Sequence, residues 1–388
     1  DNSDGAEVPA LLAQHSCEFA DVATSQDDVA LIAFSSGTTG EPKATVHFHR
    51  DLLAVCDTFS RHVLKPVEQD IFCGSPPLAF TFGLGGLLLF PMRARASTLL
   101  LPKVSAGGLL QAVQQHRCSV CFTAPTLYHR MLEFVPRFDL TSLKKCVSAG
   151  EHLPLAVFEA WQQATGIQII DGIGSTEILH IFISAAGEEI RPGATGKPVP
   201  GYEAMVLGEA EAEAGHPVPA GTVGRLAVRG PTGCRYLGAP ELQRMYVQDG
   251  WNITGDAYRV DDDGYFWYEG RTDDMIVSAG YKIAAVEIET TLMGHPKVAE
   301  CAVIGAPSAE RGEIVKAFVV LNHGADANDL LRRELQDYVK SQIAPYKYPR
   351  AIEFVADLPR TSTGKLQRSK LREQERGVAT RERSSLDR

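Results

Sequence analysis

"VALIAFSSGTTGEPK", residues 29–43, carries a short apolar run into a loop of hydroxyls, glycines and one lysine. An apolar run of that length, bounded by turn residues, reads as a buried strand. The loop Ser35, Ser36, Gly37, Thr38, Thr39, Gly40, Glu41, Pro42, Lys43 suits a phosphate. Glycine lets backbone N–H groups approach closely, the hydroxyls add donors, and Lys43 adds a point charge. The pattern is not the P-loop G-x-x-x-x-G-K-[ST], because Pro42 precedes the lysine and Ala44 replaces the cation-binding hydroxyl. A surface turn is the bland alternative. The continuation "ATVHFHR", 44–50, reads as the approach to a helix.

Working outward, further strand-like runs follow: "DIFCGS" (70–75), "STLLLP" (97–102), "SVCFTA" (119–124), "KKCVSAG" (144–150) and "IQIIDGI" (167–173). Helix-like stretches lie between them at 49–63, 105–116, 126–135 and 154–165; in the first, Leu52, Leu53, Cys56, Phe59 and Val63 fall at helical spacing. Strand–helix alternation implies an α/β fold with a mostly parallel, helix-covered sheet. Ligands bind such sheets at the carboxyl ends of the strands, where "SSGTTG", "SAGEH" and "DGIGSTE" stand. From about 195 to 270, runs punctuated by Gly and Pro suggest a small β subdomain. After "GRTDD" the order helix (286–293), strand (298–305), strand (314–321), helix (327–341), strand (351–355) predicts an α+β domain. The expected division is 1–272, a large domain, and 273–388, a small mobile one. The tail "RGVATRERSSLDR" reads as charged and frayed.

Composition narrows the classes. A chain of 388 residues, 44% hydrophobic, is too long for one compact core. A net charge of −10 argues against a nucleic-acid or acidic-membrane binder, so a polyanionic ligand must be held by local donors. The longest apolar stretches, such as 83–90, fall far short of the roughly 20 residues that cross a bilayer. The opening "DNSDGAEVPALL" is acidic and contains Pro9, unlike a secretory leader. Eight scattered cysteines point to a reducing compartment, the cytoplasm. Cys118 and Cys121 form a C-x-x-C inside the apolar "CSVCFTAP", which reads as core rather than as a metal or redox pair.

Six motifs occur in order at domain-scale spacing: "SSGTTGEPK" (35–43), "DGIGSTE" (171–177), "NITGD" (252–256), "EGRTDD" (269–274), "SAGYKI" (278–283) and "PRTSTGKLQR" (359–368). This set resembles the adenylate-forming superfamily of acyl-CoA ligases, luciferases and peptide-synthetase adenylation domains. "PPLAFTFGLGG", "CFTAPTLY", "DGIGSTEILHIFIS" and "GATGKPVPGYE" are similar to benzoate- and 2-aminobenzoate-CoA ligases.

The resemblance implies ATP, Mg²⁺ and CoA, with an aromatic carboxylate as the small-molecule partner. It implies an aryl-adenylate and pyrophosphate first, then a thioester and AMP. Residues 35–43 would close over the β- and γ-phosphates. Thr176 would donate to the α-phosphate and Glu177 would hold Mg²⁺; alone, such a pair reads as a helix start. Asp256 and Arg271 would hold the ribose, while Gly150, Glu151, Asp171, Gly172 and Ile173 would frame adenine. Lys365 would bridge carboxylate and α-phosphate. Asp273 would be the hinge that carries "SAGYKI" to the site, Gly280 and Tyr281 lining the pantetheine path and Tyr346 and Arg350 meeting the CoA nucleotide. Ala79, Phe80, Gly172 and His180 would line the acyl pocket, although a lone histidine after an apolar strand is more often core.

Family members carry a substantial segment before the glycine–hydroxyl loop, where only 34 residues stand here. The expectation is that this N-terminal part of the usual fold is missing from the chain, with a separate N-terminal segment or a homodimer as partner. Two other readings stand beside the aryl-CoA ligase: a stand-alone adenylation enzyme that loads a carrier protein, and an inactive acyl- or nucleotide-binding protein.

Overall fold

The computed structural model describes residues 10, 12–16, 18, 20–36, 42–208, 215–278, 281–308, 311–322, 324–360 and 366–376. The opening stretch forms an antiparallel hairpin, strand Val29–Ser36 against strand Pro42–Phe48, in register from Val29↔Phe48 to Ser36↔Pro42. This corrects two expectations. Residues 29–35 pair with 42–48 rather than joining the parallel sheet, and 42–48 is strand before any helix begins. The reason lies in the side chains. Ile32 and Phe34 face outward while Ala33 is buried, so the run is one-sided, and β-branched Thr45 and Val46 favour a pleated partner. The helix starts at His49, where the Asp51 carboxylate accepts the Phe48 N–H at 2.9 Å, and runs to Val55. It continues as π-helical turns over Cys56–Leu64, stopped by Lys65 in the left-handed region at φ 50°.

The main sheet has seven strands in the order Ser97–Thr98, Ile71–Gly74, Val120–Thr123, Lys145–Ser148, Ile169–Gly174, Ile181–Ser184, Lys197–Pro198. The first five run parallel; the last two are antiparallel additions at one edge. Helices Ala106–His116, Pro125–Met131 and Leu155–Thr165 bury Leu109, Val113, Tyr128, Met131 and Trp161 in one core. A second core gathers Phe59, Phe72, Phe82, Phe90, Phe122 and Phe182. Trp161 is wholly buried with Tyr128 edge-on at 4.8 Å, so truncating it would cost about 3–5 kcal/mol. Cys118 and Cys121 lie in this core, as do Cys73 and Cys146, all as free thiols.

Antiparallel strands Glu203–Leu207, Gly224–Arg229, Val247–Gln248, Trp251–Val260 and Phe266–Arg271 make the expected β subdomain. A fourth sheet follows in the order Tyr281–Ile283, Ile276–Ser278, Gly312–Leu321, Val298–Ser308, with Ala351–Phe354 parallel to Gly312–Leu321. Helices Ala285–Met293 and Asp329–Gln342 close its core with Ile288, Leu292, Leu335 and Val339. Residues 368–376, to which the sequence reading gave no element, are helical, and residues 377–388 of the expected tail lie outside the described residues. Among the described residues no helix is long and apolar enough to cross a membrane.

Candidate functional site

Strands Lys145–Ser148 and Ile169–Gly174 are parallel neighbours, so the loops at their carboxyl ends lie side by side. The second loop holds Thr176 and Glu177. Glu177 Oε1 accepts from the Ser35 hydroxyl at 3.1 Å and from the Tyr236 hydroxyl at 2.9 Å. Burial and the adjacent carboxylate raise the Tyr236 pKa, which keeps its hydroxyl a donor. The Thr176 carbonyl lies 2.8 Å from Nε2 of wholly buried His47, which must carry its proton there to donate. Two residues after Glu177, Leu179 sits at φ 76°, a left-handed conformation that costs a bulky residue about 1–2 kcal/mol. That kink turns the chain from the loop into the core at His180.

The first loop carries Gly150, exposed and at φ +90°, and half-buried Glu151. Arg360, from the C-terminal part of the chain, reaches Glu151 Oε1 at 3.4 Å and Glu300 Oε2 at 2.7 Å. Arg130 donates to Glu300 Oε1 at 3.1 Å. Burial pushes the Glu151 carboxyl up, against the pull of Arg360. Burial acts the same way on Glu300, but Arg360 and Arg130 overcome it and its pKa is lowered. Beyond Arg360 the chain returns to pair with it at Leu366. Lys365 lies outside the described residues.

Asp256 and Arg271 face each other on adjacent strands, with Nη1 donating to Oδ1 at 3.2 Å. A Cβ on Gly255 would stand 2.3 Å from Arg271 Nη2, so the glycine is what lets the guanidinium lie over the strand. Asp171 has a buried Oδ1 without a hydrogen-bond partner, and burial pushes its pKa up to about 7 against a backbone bond from Gly172. A Cβ on Gly172 would meet the Ile181 side chain at 2.7 Å. Ile173 is half-buried beside it.

His180 is buried among Phe59, Phe82 and Phe90, with ring centroids at 5.6, 5.9 and 4.6 Å. Neither ring nitrogen has a hydrogen-bond partner, and burial pushes its pKa down to about 3, opposed only by the Phe82 backbone. The ring is therefore neutral with one open acceptor. A Cβ on Gly85 would collide with it at 2.3 Å. Phe80 packs half-buried against the same core, whereas Ala79 is exposed.

On the C-terminal sheet Tyr281 and Tyr346 stack at 4.7 Å, both partly exposed. Arg350 is drawn instead to Tyr348, its Nη1 donating to the hydroxyl at 3.0 Å. Lys43 is half-buried opposite Ser35 in the hairpin. Gly37, Thr38, Thr39, Gly40 and Gly280 lie outside the described residues; Ser36 ends the first strand and Asp273 belongs to the turn Thr272–Asp274.

Sequence reasoning missed Tyr236 and His47. His47 was legible in principle from the alternation Thr45, His47 along a strand, had 44–48 been read as one. Tyr236, in "GCRYLG", carries no local signal. The oxygen donors around Glu177 suit a hard cation that keeps waters and phosphate oxygens and so needs only one or two carboxylates. Among the described residues no cluster of three or more His, Cys, Asp or Glu offers a cage of its own. A cleft of about 660 Å³ opens between Phe48, Arg50 and residues of the segment 230–252, Tyr236 among them.

Residues 3–236 match the family described as AMP-binding enzyme, and residues 287–365 match the AMP-binding enzyme C-terminal domain. The chain is 40% identical to a benzoate–CoA ligase of Thauera aromatica, over 94% of this chain and 69% of that protein. It is 35% identical to the mitochondrial acyl-coenzyme A synthetase ACSM3 of Mus musculus, over 93% of this chain and 63% of that protein. It superposes on the crystal structure of the anthranilate CoA ligase AuaEII in complex with anthranoyl-AMP with a TM-score of 0.91 and 40% identity, covering 96% of this chain and 72% of that one.

Proposed function

The chain belongs to the AMP-binding enzyme family, and from that premise we propose that it serves an AMP-forming aryl-CoA ligase acting on an aromatic carboxylate of the benzoate or 2-aminobenzoate type. A carboxylate oxygen attacks the α-phosphorus of ATP and the bond to pyrophosphate breaks. The CoA thiolate then attacks the carbonyl carbon of the aryl-adenylate and AMP leaves. Both steps bring anions together, so positioning and charge stabilisation supply most of the rate.

Residues 35–43 hold the β- and γ-phosphates and Thr176 the α-phosphate. Glu177 would hold Mg²⁺, which supplies charge neutralisation on the phosphates. Asp256 and Arg271 take the ribose hydroxyls; Gly150, Glu151, Asp171, Gly172 and Ile173 frame adenine. Phe80, Ala79 and His180 take the aryl ring, the open nitrogen of His180 accepting from an ortho-amine. Lys365 neutralises the reacting oxygens, on a lid of residues 273–388 that turns at Asp273 against 1–272. Gly280, Tyr281, Tyr346 and Arg350 then meet CoA.

The observation that carries this reading is Arg360 seated on Glu151. It brings the C-terminal part of the chain, five residues before Lys365, against the loop beside Thr176 and Glu177. The test is to supply ATP, Mg²⁺, CoA and a panel of benzoates, following pyrophosphate and then thioester. Pyrophosphate release that depends on an aromatic acid, and that falls about 10²–10³-fold in Lys365→Ala, supports the reading. Its absence with every acid overturns it, and thioester formation only on a carrier protein would reassign the acceptor.

A further inference from the structure

We propose that Tyr236 is the positioning residue of Glu177: its hydroxyl grips one carboxylate oxygen and so turns the other toward the cation that accompanies the nucleotide. The inference rests on the function proposed above. Both hydrogen bonds, from Tyr236 at 2.9 Å and Ser35 at 3.1 Å, fall on Oε1. A glutamate side chain otherwise turns freely about three bonds; two donors converging on one oxygen select a single orientation before any ligand arrives.

Tyr236 is built to hold still. It is 8% exposed, and its backbone makes a single antiparallel bridge to the hairpin at Thr45: Val46 N–H donates to Arg235 O at 2.8 Å and Leu237 N–H to Ala44 O at 2.9 Å. On the other edge Gln243 clamps it, accepting from Tyr236 N–H at 2.7 Å and donating to Cys234 O at 3.0 Å. Asn252 accepts the Cys234 N–H at 2.9 Å, and Tyr246 packs edge-on to the Tyr236 ring at 5.7 Å. Ser35 stands one residue before the end of the first strand of the same hairpin. The hairpin and the segment bridged to it therefore bear both the ends of the glycine–hydroxyl loop and the two hydroxyls that aim Glu177. Loop and carboxylate are registered to each other, as a metal-bound triphosphate requires.

Tyr236→Phe removes the hydroxyl and keeps the ring. With Mn²⁺ as the paramagnetic probe and ATP in excess, Mn²⁺ bound to the full chain should be held about 5–10-fold more weakly in the variant, while ATP affinity in EDTA stays within twofold. The Mg²⁺ concentration for half-maximal pyrophosphate release should rise by a similar factor, with the KM for the aromatic acid unchanged. In a Glu177→Gln background Tyr236→Phe should add nothing to the Mn²⁺ effect. Ser35→Ala, removing the second donor, should weaken Mn²⁺ about 2–3-fold and serves if the tyrosine variant fails to fold. Mn²⁺ retention equal to the parent chain in both variants, or the same loss with and without Glu177, overturns the inference alone. A parent chain that takes up no Mn²⁺ with ATP overturns the proposed function, and this inference with it.

Discussion

Arg360 and Glu151 meet at 3.4 Å although 209 positions separate them in the chain, and Arg360 shares its other arm with Glu300, which Arg130 grips in turn. This alternating chain of charges crosses from the loop after strand Lys145–Ser148 to the C-terminal sheet and back. All members but Arg130 are largely shielded from water, so the attraction is only partly screened. Arg360→Gln leaves Glu151 and Glu300 with less compensation. Adenylate formation, read as pyrophosphate release, should slow about tenfold, corresponding to roughly 1.4 kcal/mol. Thioester formation from supplied aryl-adenylate should stay within about twofold; equal losses in both steps would contradict the assignment.

Gly255→Ala tests the proposed ribose role of the Asp256–Arg271 pair. The new methyl would stand 2.3 Å from Arg271 Nη2, the movable end of a long side chain, so stability should fall by less than about 1 kcal/mol. The guanidinium must leave Asp256, and ATP should bind about tenfold more weakly by calorimetry. Unchanged ATP affinity would remove Asp256 and Arg271 from the site.

Asp171 gives a pH signature. Its carboxyl ionises at about 7 in the fold and at its ordinary value near 3.8 when unfolded. Between those values the folded chain holds a proton that the unfolded chain has lost, so stability falls as pH rises from about 4 to 7 and levels off above. Asp171→Asn should abolish this component: urea denaturation should find the variant more stable than the parent at pH 8 and nearly equal at pH 4. A variant weaker at pH 8 would mean that the carboxylate is compensated.

His180 works in the opposite sense. Burial holds its pKa near 3 against an ordinary 6.5, so stability is full above pH 6.5 and is lost as pH falls toward 3, where only the unfolded chain gains the proton. His180→Leu should flatten that acid limb. It also deletes the open acceptor among the three phenylalanines, and the ratio of kcat/KM for 2-aminobenzoate over benzoate should drop about tenfold. A ratio that does not move would take the amine away from this residue.

Much of the architecture was legible. The strands 71–74, 120–123, 145–148 and 169–174 and the helices 106–116 and 155–165 stand within a few residues of the runs that announced them, because a period of 2 or 3.6 is written in a handful of neighbours. The hairpin was misread for the same reason: a short apolar run looks alike whether its partner is a parallel strand behind a helix or the next strand after a turn. The C-terminal helix 368–376 was not anticipated, because its one apolar residue, Leu371, makes no periodic pattern, though it is buried in the fold.

The strand–helix alternation, the β subdomain, the C-terminal α+β part and the order of the six motifs were set by the sequence alone, since each is encoded within windows of a few to fifteen residues. Only the tertiary structure decided that Glu177 is held by Ser35 and Tyr236, that His47 supports Thr176, and that Arg360 meets Glu151, pairs separated by 142, 59, 129 and 209 positions. Such contacts depend on which strand lies beside which and in what register, and those are settled by the packing of whole layers rather than by any local pattern.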